Sequence, residues 1–314
     1  MIKKYETYLK IDKDHSPSPG IEIVGKLQPD VYRVDYDYNT DSVTFVTMES
    51  NHDELVDLPG TEYESVISDV DLFLTPECQA RFQEVGFIHK FNILLHGLPG
   101  TGKTCLVNRV AQKVIASGGI VLFNPNPVSL KVTFSVLDSI QPETRVLIIF
   151  EEMDDHVRRD EATLLHVLDG EVQKKNAMYI ATTNYIEKIP ARVRRPGRFS
   201  TVMEVKFPNQ QARRAYLQTK LKDKSIIQTI VEKTEGFSID ELKEVVRGHY
   251  CMGKDLNSYI SYVAKNSGKE IDQENSDDYD DDDQGFIGDP DDINYRQSLI
   301  GFLNKESNNI RKRR

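Results

Sequence analysis

One octapeptide limits the possible folds of this chain more than any other segment: residues 97–104 have the sequence GLPGTGKT. It matches G-x-x-x-x-G-K-T, a pattern whose glycines let backbone N–H groups turn inward around a phosphate. The apolar strand candidate Phe91–His96 precedes it, and Lys103–Ser117 follows with apolar residues at helical spacing. A strand, a phosphate-binding loop and a helix in this order predict a parallel α/β sheet.

Further strand candidates alternate with helical patterns after the octapeptide. They are Ile120–Phe123, Val146–Phe150, Met178–Thr182 and Val202–Phe207. Phe91–His96 and the candidates at 146–150 and 178–182 are nearly continuous apolar runs, which is typical of strands covered on both faces. This alternation favours a doubly covered parallel sheet, the fold class of P-loop NTPases.

Composition and pattern divide the chain into four parts. We predict a small β-rich N-terminal unit at 1–60, an α/β nucleotide-binding domain at 61–208, a helical lid at 209–266, and a disordered acidic tail with a basic C-terminus at 267–314. In the first part, two alternating runs at 31–38 and 42–48 flank a polar turn and predict a hairpin. In the third, Ser238–Glu241 fits a capping box that opens a helix.

The net charge of −10 is concentrated in the tail. Residues 270–292 contain twelve acidic and no basic residues, whereas residues 293–314 carry a net charge of +5, leaving −3 for residues 1–269. A nearly neutral folded part argues against a nucleic-acid remodeller, because nucleic-acid affinity depends mainly on neutralising phosphates. The tail could be a solubilising tract or an autoinhibitory or partner-docking arm, and the N-terminal unit could be a plain appendage or a docking domain.

Three more elements carry chemistry that fits the octapeptide. Glu151 and Glu152 follow the apolar strand 146–150; the first acid at such a place holds Mg²⁺ and the second can act as general base toward water. Asn184 follows the next apolar strand, where its amide can contact a γ-phosphate or the attacking water. A rigid turn at 194–199, RRPGRF, then presents arginines suited to bidentate phosphate contact.

These four elements in this order resemble the AAA+ ATPases, in the branch that carries an R-P-G-R-F signature, over roughly residues 61 to 265. The resemblance implies that ATP is bound by the loop residues Gly97, Pro99, Gly100, Thr101, Gly102, Lys103, Thr104 and Cys105. It implies Mg²⁺ ligands at Thr104 and Glu151, a catalytic base at Glu152 and a first sensor at Asn184. Arg195 and Arg198 match the arginine fingers that reach the γ-phosphate of a neighbouring subunit, so the resemblance also implies a homo-oligomer, a ring of six or seven copies.

A closer resemblance is to the subgroup of the mitochondrial AAA chaperone of the Rieske iron–sulfur protein. Residues 164–170, LLHVLDG, the triplet TTN at 182–184 and the paired acids are similar to that subgroup. The N-terminal membrane anchor of that chaperone has no counterpart here, and no run approaches the ~18 apolar residues of a membrane span. We therefore expect a cytoplasmic protein that does not enter a membrane.

Three departures from the family pattern bear on function. Glu151 replaces the commoner Asp, so Mg²⁺ coordination has to adjust by one methylene, and Ser200 replaces the Asp that often follows the arginine turn. The aromatic pore loop of peptide-threading relatives is absent, and the segment Asn124–Leu130 is short in its place. The leading hypothesis is an oligomeric, chaperone-like ATPase that remodels an unknown protein client; the alternative is a nucleotide-gated switch or scaffold, and a nucleic-acid remodeller ranks third.

Overall fold

The computed structural model describes residues 26–48, 58–169 and 174–269, together with the backbone of the strands at 8–12 and 20–24. The strands in these ranges are β1 Tyr8–Asp12, β2 Gly20–Val24, β3 Val31–Asp37, β4 Ser42–Thr47, β5 Lys90–His96, β6 Ile120–Phe123, β7 Val146–Phe150, β8 Ala177–Thr183 and β9 Thr201–Glu204. They form one sheet in the order β2-β1-β4-β3-β6-β7-β8-β5-β9. Apart from residues 267–269, the predicted tail at 267–314 lies outside the described residues.

Ten α-helices occur in the part of the chain that the structure describes. They are α1 Glu62–Phe73, α2 Pro76–Glu84, α3 Lys103–Ala116, α4 Leu130–Ile140, α5 Met153–Asp169, α6 Ala191–Arg194, α7 Gln210–Lys220, α8 Lys224–Lys233, α9 Ile239–Val246 and α10 Leu256–Asn266. Helix α5 contains a kink at Asp160, and a π-helical turn at Arg247–Cys251 extends α9. No helix among these residues is long and apolar enough to cross a bilayer.

The five neighbouring strands β6, β7, β8, β5 and β9 all run parallel to one another. Every side chain of β7 and β8 is buried. Alternate residues enter different apolar cores: Ile93 and Leu95 of β5 pack in the core that contains α3, while Leu94 packs in the core that contains α4 and α5. Side chains that alternate between two covered faces explain the continuous apolar runs, and the predicted parallel α/β fold is confirmed.

The N-terminal hairpin is confirmed, but its strands extend the central sheet. β3 and β4 pair antiparallel from Tyr32↔Thr47 to Asp37↔Ser42, and β3 also pairs parallel with β6 through Val31↔Val121. Phe45 is buried in the core that contains α4. The sheet is therefore continuous from the hairpin into the α/β part, and the boundary predicted at residue 60 stays a prediction.

The helices α7 to α10 form the helical segment that the sequence predicts after the sheet. The capping box of α9 is present, because the Ser238 hydroxyl accepts from the Glu241 N–H and the Glu241 carboxylate accepts from the Ser238 N–H. Leu242 and Val245 of α9 pack in the same apolar core as Val107 and Val110 of α3. This packing places the first turn of α9 beside the loop that precedes α3.

Candidate active site

The sheet brings the predicted site residues to one edge. The loop 97–102 follows β5, Glu151 follows β7 and Asn184 follows β8, and these three strands are consecutive in the order β7-β8-β5. All three run parallel, so their carboxyl ends lie on the same side. In the sheet, β5 lies between β8 and β9, two strands that both come later in the sequence. Open α/β sheets bind ligands at positions where the strand order reverses in this way.

The loop that follows β5 is wrapped around its own lysine. The Lys103 Nζ donates to the backbone carbonyls of Gly97 and Leu98, each at 2.8 Å. Burial lowers the pKa of Lys103 to about 8, against an opposing effect of Asp240. Gly100 and Gly102 have φ angles of +74° and +99°. Glycine adopts such positive φ angles more easily than residues with a Cβ. The arrangement leaves a buried cation at the start of α3, where phosphates bind.

Two donors from outside the loop, one side-chain hydroxyl and one backbone N–H, hold it in place. The Tyr63 hydroxyl of α1 donates to the Gly102 carbonyl, and the Ile239 N–H of α9 donates to the Gly100 carbonyl at 3.1 Å. Asp240 lies close enough to raise the pKa of Lys103 against the effect of burial. The sequence did not indicate a role for Tyr63 or Asp240; the capping box at 238–241 predicted only that a helix begins there.

Replacing Gly102 by Ala should weaken both folding and nucleotide binding. The φ of +99° costs a residue with a Cβ about 1–3 kcal/mol, and the new methyl would collide with the Tyr63 hydroxyl. Gly118→Ala is the matched control, because its φ is +83° and its surroundings are open. Urea unfolding and ATP titration should show reduced stability for both variants and reduced ATP affinity for Gly102→Ala alone; ATP affinity at the wild-type level in Gly102→Ala would contradict this account of the loop.

The acids after β7 differ from each other in exposure and role. Burial raises the pKa of Glu151, a hydrogen bond from the Thr104 hydroxyl partly offsets this, and the neighbouring Glu152 raises it further. The Glu151 Oε1 atom is buried and has no hydrogen-bond partner among the described residues. An unpaired carboxylate oxygen beside a hydroxyl is a donor set that suits Mg²⁺, so these two residues fit the predicted metal ligands.

Glu152 is exposed, and its backbone has a φ of +51°. This left-handed conformation is uncommon for a residue with a long side chain and is found more often at functional sites. Nothing in the sequence pattern indicated it. The conformation turns the chain between β7 and α5, and it leaves the Glu152 carboxylate open to water, as a general base has to be.

A hydrogen bond links the end of β8 to the first turn of α5. The Thr183 hydroxyl donates to the Asp154 carboxylate at 2.7 Å. The hydroxyl oxygen of Thr183 also accepts from the Tyr185 N–H at 3.0 Å. Asn184 lies between these two bonds and is half-buried. Sequence reasoning found Asn184 but missed Asp154 and Thr183, which fix the backbone on either side of it.

The two predicted arginine fingers lie in different surroundings. The side chain of Arg195 is 58% exposed and contacts Asp169 only at 3.6 Å. The side chain of Arg198 is 7% exposed and forms two bonds of 2.5 Å to the Asp169 carboxylate. Of the pair, Arg195 is the exposed side chain, whereas Arg198 turns toward its own chain because it pairs with Asp169.

Comparisons with known proteins agree with this geometry. The AAA model, described as the ATPase family associated with various cellular activities, matches residues 93–207. Protein CdcH of Halobacterium salinarum is 28% identical over 177 residues, 50% of this chain and 24% of that protein. A proteasome-activating nucleotidase of Aeropyrum pernix is 32% identical over 189 residues, 52% of this chain and 46% of that protein.

A third relative extends the similarity somewhat further along the chain. A cell division cycle protein 48 homolog of Archaeoglobus fulgidus is 27% identical over 199 residues, 58% of this chain and 26% of that protein. The chain therefore spans less than half the length of each of these three relatives.

Proposed function

We propose that residues 93–207, which match the AAA ATPase family model, form a domain that hydrolyses ATP at a site shared between two neighbouring copies of this chain. The observation that carries the proposal is the exposure of Arg195. A rigid turn holds this guanidinium outward, 58% exposed and with only a 3.6 Å contact to Asp169. Arginines that reach a neighbour's phosphates stabilise the charge of the phosphoryl-transfer transition state.

Within one copy, the proposed division of labour follows the geometry of the strand ends. The backbone amides of the loop after β5 bind the phosphates of ATP, and Lys103 leaves its loop carbonyls to pair with them. Thr104 and Glu151 would hold Mg²⁺, which when bound neutralises charge on the phosphates. Glu152 accepts a proton from the attacking water, and Asn184 orients that water or the γ-phosphate.

Between copies, the proposal requires a heterologous interface. Because each Arg195 would serve the site of the next copy and not its own, the contacts would repeat head to tail, and we propose that they close into a ring. The family resemblance favours six or seven copies. The exposed Arg195 supports such an interface, and the number of copies is part of the proposal.

We further propose that the free energy of ATP hydrolysis is used to remodel a protein client. The relatives named as a proteasome-activating nucleotidase and as a cell division cycle protein 48 homolog support this class. The resemblance to the Rieske-protein chaperone subgroup, carried by residues 164–170, stays a hypothesis. So does a cytoplasmic location.

A nucleotide-gated switch or scaffold is the second candidate. It is favoured by the connection between β6 and α4, where a short 3₁₀ turn at Pro127–Ser129 leads directly into the helix. This connection has no room for a long loop that grips an extended polypeptide. Under this alternative, assembly with ATP matters more than turnover.

The ATPase rate measured against protein concentration tests the shared site. A trans arginine contributes about 10³- to 10⁵-fold in rate, so a dilute single copy should be nearly inactive. We expect the rate per chain to rise cooperatively with concentration and to follow assembly measured by analytical ultracentrifugation. A rate per chain that stays constant down to the dilute single copy would contradict the proposal.

A further inference from the structure

We infer that Arg198 is a positioning residue that acts within its own chain: together with Asp169 it fixes the turn 195–199 so that Arg195 alone faces the neighbouring copy. The inference deepens the proposed function and rests on it, because it concerns how the shared site receives its arginine. The family resemblance had instead implied that Arg195 and Arg198 are both arginine fingers.

Every nitrogen of the Arg198 guanidinium is already bonded inside its own chain. Nε and Nη2 donate to the two oxygens of Asp169, each at 2.5 Å, and Nη1 donates to the carbonyl of Arg192. The two parallel bonds form the planar fork that arginine makes with carboxylates. To reach a neighbour's phosphate, Arg198 would have to break all of these contacts.

A second anchor, Asn92, holds the same turn. The Asn92 side-chain amide of β5 donates to the Arg198 carbonyl, and the Asn92 carbonyl accepts from the Ser200 N–H at 2.8 Å. Asn92 is 1% exposed. The turn is therefore fastened to α5 through Asp169 and to β5, the strand that leads into the phosphate-binding loop, through Asn92.

Arg195 is the first residue of this fastened turn, and its side chain is loosely held. Its nearest acidic partner is Asp169, at 3.6 Å, beyond hydrogen-bond distance. Both Asp169 oxygens already accept from the Arg198 fork, so the carboxylate attracts Arg195 less strongly than a free one would. Arg198 thus keeps Asp169 from trapping Arg195, and it fixes the backbone from which Arg195 extends.

Four variants test the inference: Asp169→Asn, Arg198→Met, Arg198→Lys and the double variant Asp169→Asn/Arg198→Met. Asp169→Asn removes the negative charge at position 169, keeps a side chain of nearly the same shape there and retains the Arg198 side chain. A positioning role predicts that Asp169→Asn and Arg198→Met each lower kcat about 100-fold, the loss expected from a misplacement of roughly 1 Å. The double variant should lose no more than the worse single variant, as two groups that act as one do. Arg198→Lys should be intermediate, because lysine keeps the charge but not the fork.

The ATP KM and the assembly state should not change in these variants, since neither side chain is proposed to touch the nucleotide. Both constants should be measured at a temperature well below the unfolding midpoint of each variant. A lower kcat with an unchanged KM then indicates a positioning role and not a loss of stability. Arg192→Met is the matched control: it removes another arginine fork between this region and α5, with Glu161, and should keep wild-type kcat.

Wild-type kcat in Asp169→Asn together with a large loss in Arg198→Met would overturn the inference and make Arg198 a finger. If Arg198→Met does not fold, Asp169→Asn decides alone, because a finger Arg198 would remain present in it. Arg195→Met, assayed in parallel, keeps the two proposals apart. Wild-type activity in Arg195→Met refutes the shared site, whereas an inactive Arg195→Met beside a fully active Asp169→Asn refutes only the role of Arg198.

Discussion

Replacing Glu152 by Gln should abolish ATP hydrolysis and leave ATP binding intact. The amide keeps the size of the side chain but cannot accept a proton from water, and loss of a general base costs about 10²- to 10⁴-fold in rate. Glu152 is exposed and does not hold the phosphate-binding loop, so ATP affinity should stay at the wild-type level. Steady-state turnover and titration with a fluorescent ATP analogue measure the two quantities.

Glu187→Gln is the control for Glu152→Gln. Glu187 is an exposed acid on the turn after Asn184, so its replacement removes the same charge from the same side of the sheet. Its turnover should equal that of the wild type. Turnover in Glu152→Gln within error of the wild type would show that another group takes the proton and would refute the assignment of the base.

The largest expected loss is that of Arg195→Met. If Arg195 completes the site of the neighbouring copy, its removal should lower kcat about 10³- to 10⁵-fold, which is roughly 4 to 7 kcal/mol of transition-state stabilisation at 1.36 kcal/mol per tenfold. ATP binding by the isolated chain should not change, because the arginine acts on another copy. Single-turnover kinetics at a concentration that keeps the chain assembled measures the loss.

Arg158→Met is the control for Arg195→Met, because it removes a 75% exposed arginine on α5. It should keep wild-type turnover and assembly. A drop in Arg195→Met that disappears once assembly is restored at higher concentration would assign Arg195 to the interface and not to the reaction.

Sequence reasoning predicted the parallel part of the fold well because that part depends on local burial. The strands at 120–123 and 146–150 appear with the expected bounds, since runs such as VLIIF leave no polar side chain to face water. The last strand ends at Glu204 and not at Phe207. Its partner strand β5 ends at His96, which pairs with Glu204 and accepts a last hydrogen bond from the Val205 N–H at 2.7 Å.

The features that the sequence did not reveal all depend on contacts between distant residues. The hairpin at 31–47 joins the sheet through β6, about ninety positions away in sequence, and no periodic pattern encodes such a pairing. Tyr63 meets Gly102 across 39 positions, and Arg198 meets Asp169 across 29. The motif at 194–199 identifies both arginines, but only the fold shows which of them turns inward.

The candidate site, too, was predicted only in part from the sequence. The pattern predicted Lys103, Glu151 and Asn184, and the strand order places the three segments side by side at one sheet edge. The left-handed backbone at Glu152 and the bond from Thr183 to Asp154 required the structure. Their roles in the reaction remain proposals that the variants above address.

Mixing two inactive variants tests the shared site most directly. Glu152→Gln lacks the base but supplies Arg195, and Arg195→Met lacks the arginine but keeps Glu152. In a mixed ring with heterologous interfaces, about a quarter of the interfaces of an equimolar mixture combine an intact base with an intact arginine. Our account predicts that the mixture hydrolyses ATP although each variant alone does not. A mixture that assembles together, shown by co-purification of two different tags, and yet remains inactive would contradict it.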